Sequence, residues 1–386
     1  MIIYVRSSGF LRCALQMLRL VGSVVLAVVV PEAVSPQPTT RVADRVSCAQ
    51  CKIELERVVR LQPGSGPQEL SRRPSSMATD SRGRILVAVD GSDHVDLYAR
   101  DGAFLQQVGR RGAGPGEFTS ANYVSFGPGD TAYVFDIRNR RVSIFTPEMK
   151  FLRSAPAPFM FSATALVDGS FLINGFVPDR DRIGKSFHLF DRIGNQLRSF
   201  GFADASVIPG QGGLANNWVT PSRTGGVWSV SYRGAYTLAK WGNDGALLQR
   251  FDVASILVGP EMGKQVGFTS EKPADPYIRS LVEDLDGLIW VEIVVADSNW
   301  KKGVKFDPSL PGERGMFPDI MDYDRAYDTV IEVFDPEKRT RIVSHRFDSM
   351  YSHFVAPNRI ARPIVQPDGT FHIEIYSLRL TGLSTR

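Results

Sequence analysis

GRRGAGPGEFTSANYVSFGPGDTAYVFDIRNRRVSIF, residues 109–145, decides the fold. It holds a glycine-proline loop, a short apolar strand, a turn at Gly129-Asp130, a second strand ending at Asp136 and a third opening near Arg141. Glycine accepts positive φ at little steric cost, so Gly-Asp and Asp-Gly between apolar runs mark tight reversals between strands. Short apolar runs punctuated in this way predict an antiparallel sheet.

The same plan recurs on both sides. Upstream, residues 75–108 carry turns at Arg82-Gly83 and Asp101-Gly102. Downstream, a third unit (163–200) turns at Asp168-Gly169 and Gly194-Asn195, and a fourth (218–251) at Gly225-Gly226 and Asp244-Gly245. A fifth begins at 277, turns at Asp286-Gly287, is interrupted after 295, resumes at 329 and closes at 347. The sixth has two runs, 360–365 and 371–377, around Asp368-Gly369. Six units at a spacing of ~40 residues, without long helical periodicity, predict an all-β fold: a six-bladed β-propeller. The sixth unit lacks an outer strand, while a spare one lies at 53–61. The last blade is therefore expected to be completed by the N-terminal strand, which leaves no open edge between first and last blades.

Gly112, Gly114, Gly116 and Phe118, followed by Asp136, Asn139 and Arg141, resemble the repeat of the NHL class of six-bladed propellers. The resemblance is close over 109–145 and loose over about 75–382. It implies the propeller fold. Proteins of this kind include scaffolds, extracellular sensors, RNA or protein binders, and some lyases and lactone hydrolases, and a fold does not choose among them.

The 386 residues are 43% hydrophobic and 22% charged, with 35 Gly and 24 Pro, the composition of a folded, turn-rich chain. No linker divides residues 52–386, which read as one propeller domain. Residues 1–33 read as a signal peptide. Arg6, Arg12 and Arg19 precede an apolar run at 20–30, which at ~11 residues is short for a bilayer. The alternative is an uncleaved anchor, because the small-residue pattern around Pro31-Glu32-Ala33 is poor. Export is the expectation: periplasmic, secreted, or membrane-associated through this segment. Removing it lowers the net charge from +4 to +2, through loss of three arginines and Glu32. So weak a positive charge argues against a nucleic-acid partner.

Residues 34–51 are rich in Ser, Pro and Thr at first and read as a flexible tether carrying Cys48 and Cys51. A C-x-x-C pair can close a disulfide, supply half of a metal site or do redox work. His94, His188, His345, His353 and His372 form no close pair. A local structural disulfide is the first reading, and free or metal-associated thiols the second.

Function in a propeller is expected on the face where long loops gather. The longest are 109–121, 175–185, 201–217, 254–276 and 296–328. The last mixes Trp300, Phe306, Phe317, Tyr323 and Tyr327 with Lys301, Lys302, Lys305 and Arg314. Aromatic and basic side chains suit a recognition surface, while aromatics turned inward would form a packed cover. Trp300, Lys301 and Lys302 are thus candidate ligand-binding residues, with Arg110, Arg111 and Arg141 beside the glycine loop. Arg141 could instead hold the loop or a neighbouring blade, with Asp136 and Asn139 satisfying turn backbone. No cofactor motif and no Gly-x-Ser-x-Gly nucleophile pattern is present. Two acidic groups, Glu283-Asp284-Asp286 and Asp319-Asp322-Asp324, could suit calcium. The leading expectation is a binding or scaffold module for a protein, peptide or carbohydrate ligand. The alternative is a metal-dependent propeller enzyme of lactone hydrolase or lyase type.

Overall fold

The computed structural model describes residues 39–62, 73–89, 91–176, 185–201, 216–232, 235–259, 267–306, 318–366 and 369–383. The expected signal segment lies outside these residues. The described chain is nearly all β and forms a six-bladed β-propeller.

Blade 1 is built from Pro74–Thr79, Ile85–Val89, Val95–Tyr98 and Phe104–Val108, each strand antiparallel to its predecessor. Blade 2 repeats this with Ala121–Phe126, Ala132–Asp136, Arg141–Phe145 and Phe151–Pro156. Blade 3 runs from Phe159–Ala165 to Gln196–Phe200, and blade 4 from Asn217–Pro221 to Leu247–Val253. In blade 5 the second strand, Ile289–Ala296, and the third, Tyr327–Asp335, flank the long insertion.

Blade 6 closes the ring as expected. Lys52–Arg60 pairs antiparallel with Phe371–Thr381, from Lys52 opposite Thr381 to Arg60 opposite Glu374. Its innermost strand, Phe354–Ala356, has three residues and sits against Pro357, too short for the sequence to signal.

The tether reading needs correction. Thr40–Val42 is a strand, paired parallel with the outer edge of blade 4 as its fifth member. Backbone NH groups of Ser47 and Cys48 then donate to Arg341 and Ile342 on the outer strand of blade 5. The N-terminal segment therefore crosses two successive blades, 4 and 5, before completing the sixth. Arg341 holds it there, pairing with Glu332 at 2.6 Å through one guanidinium nitrogen and with Asp44 through another. Tethers lack such partners because their polar composition leaves nothing to bury, whereas here Val42 is 3% exposed.

Alternating side chains place apolar residues on both faces of each small sheet, so the core is divided among the blade interfaces. Six apolar clusters result, each formed mainly by two neighbouring blades. Phe118, carried by the glycine loop, is fully buried in the cluster between blades 1 and 2. A Cβ on Gly109 would stand 2.4 Å from the Phe118 ring, and its φ is +91°, so glycine is needed there.

Candidate functional site

The innermost strands are hydroxyl-rich, and this is how they stay together without a continuous ladder. Ser75 donates to the Asn122 carbonyl, Ser162 to Asn217, and Ser125 meets Thr164. These strands from all six blades enclose a central channel of about 320 Å³, lined among others by Ser75, Tyr123, Ser162, Trp218, Ser280 and His353. Loops between blades and the insertion of blade 5 open at the end where each innermost strand begins.

At that mouth, rings from three blades form a shelf. Phe161 lies 5.1 Å from Trp218 and 5.0 Å from Tyr232, and Tyr232 lies 5.6 Å from Tyr277. Trp218 is fixed by its indole N–H on the Ile278 carbonyl (2.7 Å) and meets the His353 ring edge-on at 6.0 Å. Phe161, Trp218 and Tyr232 remain half-buried, and Trp218 also lines the channel.

Beside the shelf stands a cluster of buried charges. Glu292 is fully buried; its Oε2 accepts from Ser280 Oγ and the His353 amide (3.0 Å), and its Oε1 has no partner. Burial raises its pKa, against the pull of Arg279 and Arg73. Arg279 Nε donates to Ser352 Oγ at 3.1 Å, and Ser352 Oγ lies 2.9 Å from His353 Nδ1. Guanidinium only donates, so Ser352 accepts from Arg279. Among the described contacts, His353 Nδ1 is the acceptor its hydroxyl hydrogen reaches. That leaves the ring proton on Nε2. His353 is 6% exposed, Nε2 has no partner, and the residue has φ +66°, unusual for a side chain of this size. Burial, then Arg279 and Arg73, hold its pKa well below the ordinary value. The imidazole is neutral at pH 7.

Arg73 completes the group. Its Nε and Nη2 are shut off from solvent and have no hydrogen-bond partner among the described residues. The guanidinium lies over the Tyr323 ring at 5.1 Å, and burial pulls its pKa down to about 10. Tyr323 arrives from the blade 5 insertion on a single helical turn, Tyr323–Ala326, capped by the Asp322 carboxylate. The next residue, Asp324, pairs with Arg362 at 2.5 Å.

The sequence-predicted residues fall elsewhere. Trp300 is 7% exposed and stacks on Phe268 at 5.0 Å inside a small core with Ala274 and Ala326. This corrects its reading as a ligand-facing ring: an indole buries more apolar area against Phe268 than it could at the surface. Lys301 and Lys302 are exposed on the outside of the same insertion. Arg110 pairs with Glu117 at 3.0 Å, and Arg111 is exposed. Arg141 donates to the carbonyls of Ala113 (2.6 Å), Gly114 (2.8 Å) and Glu117, which makes it a brace for the glycine loop. Asp136 accepts from the Asn139 amide and side chain within its turn and from the Thr119 amide of the loop. None of these six lines the channel.

Cys48 and Cys51 are joined in a disulfide. Neither acidic group read as suiting calcium is open. Asp284 accepts from Asp286, Leu288 and Trp290, Glu283 from Arg223, and Asp322 caps its helical turn. A different trio, Asp297, Asp328 and Asp348, brings carboxylate oxygens within 4.8 Å of one another, but Arg346 already pairs with Asp328 at 2.5 Å. Arg73 was legible only as the basic residue before Pro74, ahead of the first inner strand. Nothing in its neighbours marks it as buried.

No family model and no curated protein matches the sequence. Solved structures share the fold. A Bacteroides fragilis protein described as exported is 11% identical, with a TM-score of 0.55 over 89% of this chain and all of that one. A member of the DUF4221 family from Bacteroides vulgatus is 10% identical, with a TM-score of 0.58 over 86% of this chain and 99% of the other. At such identity the likeness is one of architecture: the chain is a six-bladed β-propeller.

Proposed function

We propose that this chain is an exported binding propeller, which recognises a protein, peptide or glycan ligand at the mouth of its central channel. The observation that carries the reading is the half-buried shelf of Phe161, Trp218 and Tyr232 above the channel, formed by side chains of two blades. Rigid rings with a polar edge give large contact area at small entropic cost, and they suit the faces of sugars as well as peptide side chains. Export rests on the N-terminal segment and on the described export of the Bacteroides fragilis neighbour. The NHL-like motif serves blade packing in this reading. Lys301 and Lys302 stand at the rim, where charges affect encounter more than affinity.

A binding screen of the mature chain against glycan and peptide arrays tests the proposal. Phe161→Ala with Tyr232→Ala should weaken the selected ligand about tenfold or more, from ~1 kcal/mol per ring. Lys301→Ala/Lys302→Ala should change it less than threefold. Equal binding by the shelf variant would remove the channel mouth from recognition. The metal-dependent enzyme reading calls for convergent ligands without competing cations, and here Glu292 and His353 stand beside Arg73 and Arg279, which repel a metal ion. A stoichiometric divalent ion in the purified protein would reverse that preference.

A further inference from the structure

Among the described residues, Arg73 and Arg279 face a single carboxylate, Glu292, across a neutral histidine. Asp324, the residue after Tyr323, is engaged by Arg362. Three tyrosines, Tyr277, Tyr323 and Tyr327, border the group, and burial pushes the Tyr327 phenol up. Among the described residues one positive charge is therefore left without a counter-charge, and the Nε and Nη2 of Arg73 have no access to water in its place, an arrangement that costs stability unless something pairs with it. The bare edge of Arg73 is chemically specific. Nε and Nη2 are the two nitrogens whose N–H bonds run parallel, the fork that meets both oxygens of a planar carboxylate. His353 Nε2, a lone buried donor on a strained backbone, adds a third N–H at the channel wall.

We propose that the channel mouth holds an anchor for one carboxylate of the ligand, bound bidentate by Arg73 and approached by His353 Nε2, with the aromatic shelf taking the body of the same molecule. The inference rests on the binding reading above and deepens it. A single uncompensated charge matches a monoanionic carboxylate better than a phosphate dianion. The carboxylate of a uronic acid and the C-terminus of a peptide share this chemistry.

The test uses the mature chain with sodium glucuronate and N-acetyl-dialanine, each against its neutral amide, and with inorganic phosphate. Binding is read by ligand-observed NMR and calorimetry. At least one carboxylate should bind saturably, and its amide at least tenfold more weakly. Which of the two acids binds identifies the source. Arg73→Met should abolish the preference for acid over amide, and Arg73→Lys, which keeps charge but lacks the fork, should reduce it severalfold. Without ligand, Arg73→Met should melt at the same temperature or higher, because it removes an unpaired charge. Equal binding of acid and amide, or a preference for phosphate, would overturn the anchor. So would a fall of several degrees in the unliganded Arg73→Met variant, which would mean that the guanidinium is already paired. If both acids fail while a neutral ligand from the screen still depends on Phe161 and Tyr232, the shelf stands and the anchor falls. If nothing binds, both fall.

Discussion

His353 concentrates the physics of the site in one side chain. It is buried, neutral and held at φ +66° by the pairing of its amide with Glu292 and of its ring with Ser352. Its folded pKa lies below the ~6.5 of an unfolded histidine, so on acidification the unfolded chain takes up the proton first. Stability from this residue is thus present above ~6.5 and lost as pH falls below it. His345 and His372 are lowered too and act in the same sense, whereas Glu292, Glu332 and Asp328 are raised and act oppositely, losing stability as pH rises. A difference measurement separates His353 from these. His353→Asn tolerates the left-handed backbone and cannot titrate. Between pH 7.5 and 5.5 the wild type should lose about 2 °C or more of melting temperature relative to this variant in thermal scans. Parallel curves would mean that the imidazole takes up its proton as readily in the fold as in the unfolded chain. Spacing along the chain did not single out this histidine, because its singularity comes from burial and from Glu292 and Trp218 on other segments.

At the scale of elements, the most informative piece is the crossing segment that the sequence reads as a tether. Its Ser-Pro-Thr start looks unstructured, yet Thr40–Val42 adds a strand to blade 4 and Asp44 reaches the buried Arg341. The Cys48–Cys51 link, with a sequence separation of 3, closes a small ring at the point where the segment passes from blade 5 to blade 6. Loop-entropy arithmetic for so small a ring gives roughly 2 kcal/mol. Cys48→Ser/Cys51→Ser should lower the unfolding free energy by that amount or less in denaturant titrations, leave the ring closed, and abolish any effect of reductant. A loss of more than ~4 kcal/mol would mean that the disulfide, rather than strand pairing, secures the last blade. The C-x-x-C reading as a structural disulfide came from what was missing around it in sequence, and the geometry agrees. The Trp300 insertion went the other way, since composition cannot say whether an aromatic loop faces out or packs on Phe268.

For the whole molecule, closure is the governing fact. Lys52–Arg60 and Phe371–Thr381 come from opposite ends of the chain, and their pairing makes the ring a single cooperative object. A chain beginning at residue 63 should leave blade 6 with an open edge and aggregate, whereas one beginning at 46 should keep a single melting transition at lower temperature. Size-exclusion chromatography and calorimetry distinguish these outcomes, and a monomeric, fully cooperative product from the shorter chain would refute closure as the stabilising device. The number of blades, the turns between strands and the spare N-terminal strand were all legible in the sequence, because glycine-marked reversals and apolar alternation are local properties. The site was not. Arg73, Arg279, Glu292 and His353 belong to blades 1, 5 and 6, or to their entry loops, and meet only because the blades stand around an axis. Local pattern determined how many sheets there are and how the ring shuts; which charged groups face one another without water depends on radial placement, which no neighbouring residue in the chain encodes.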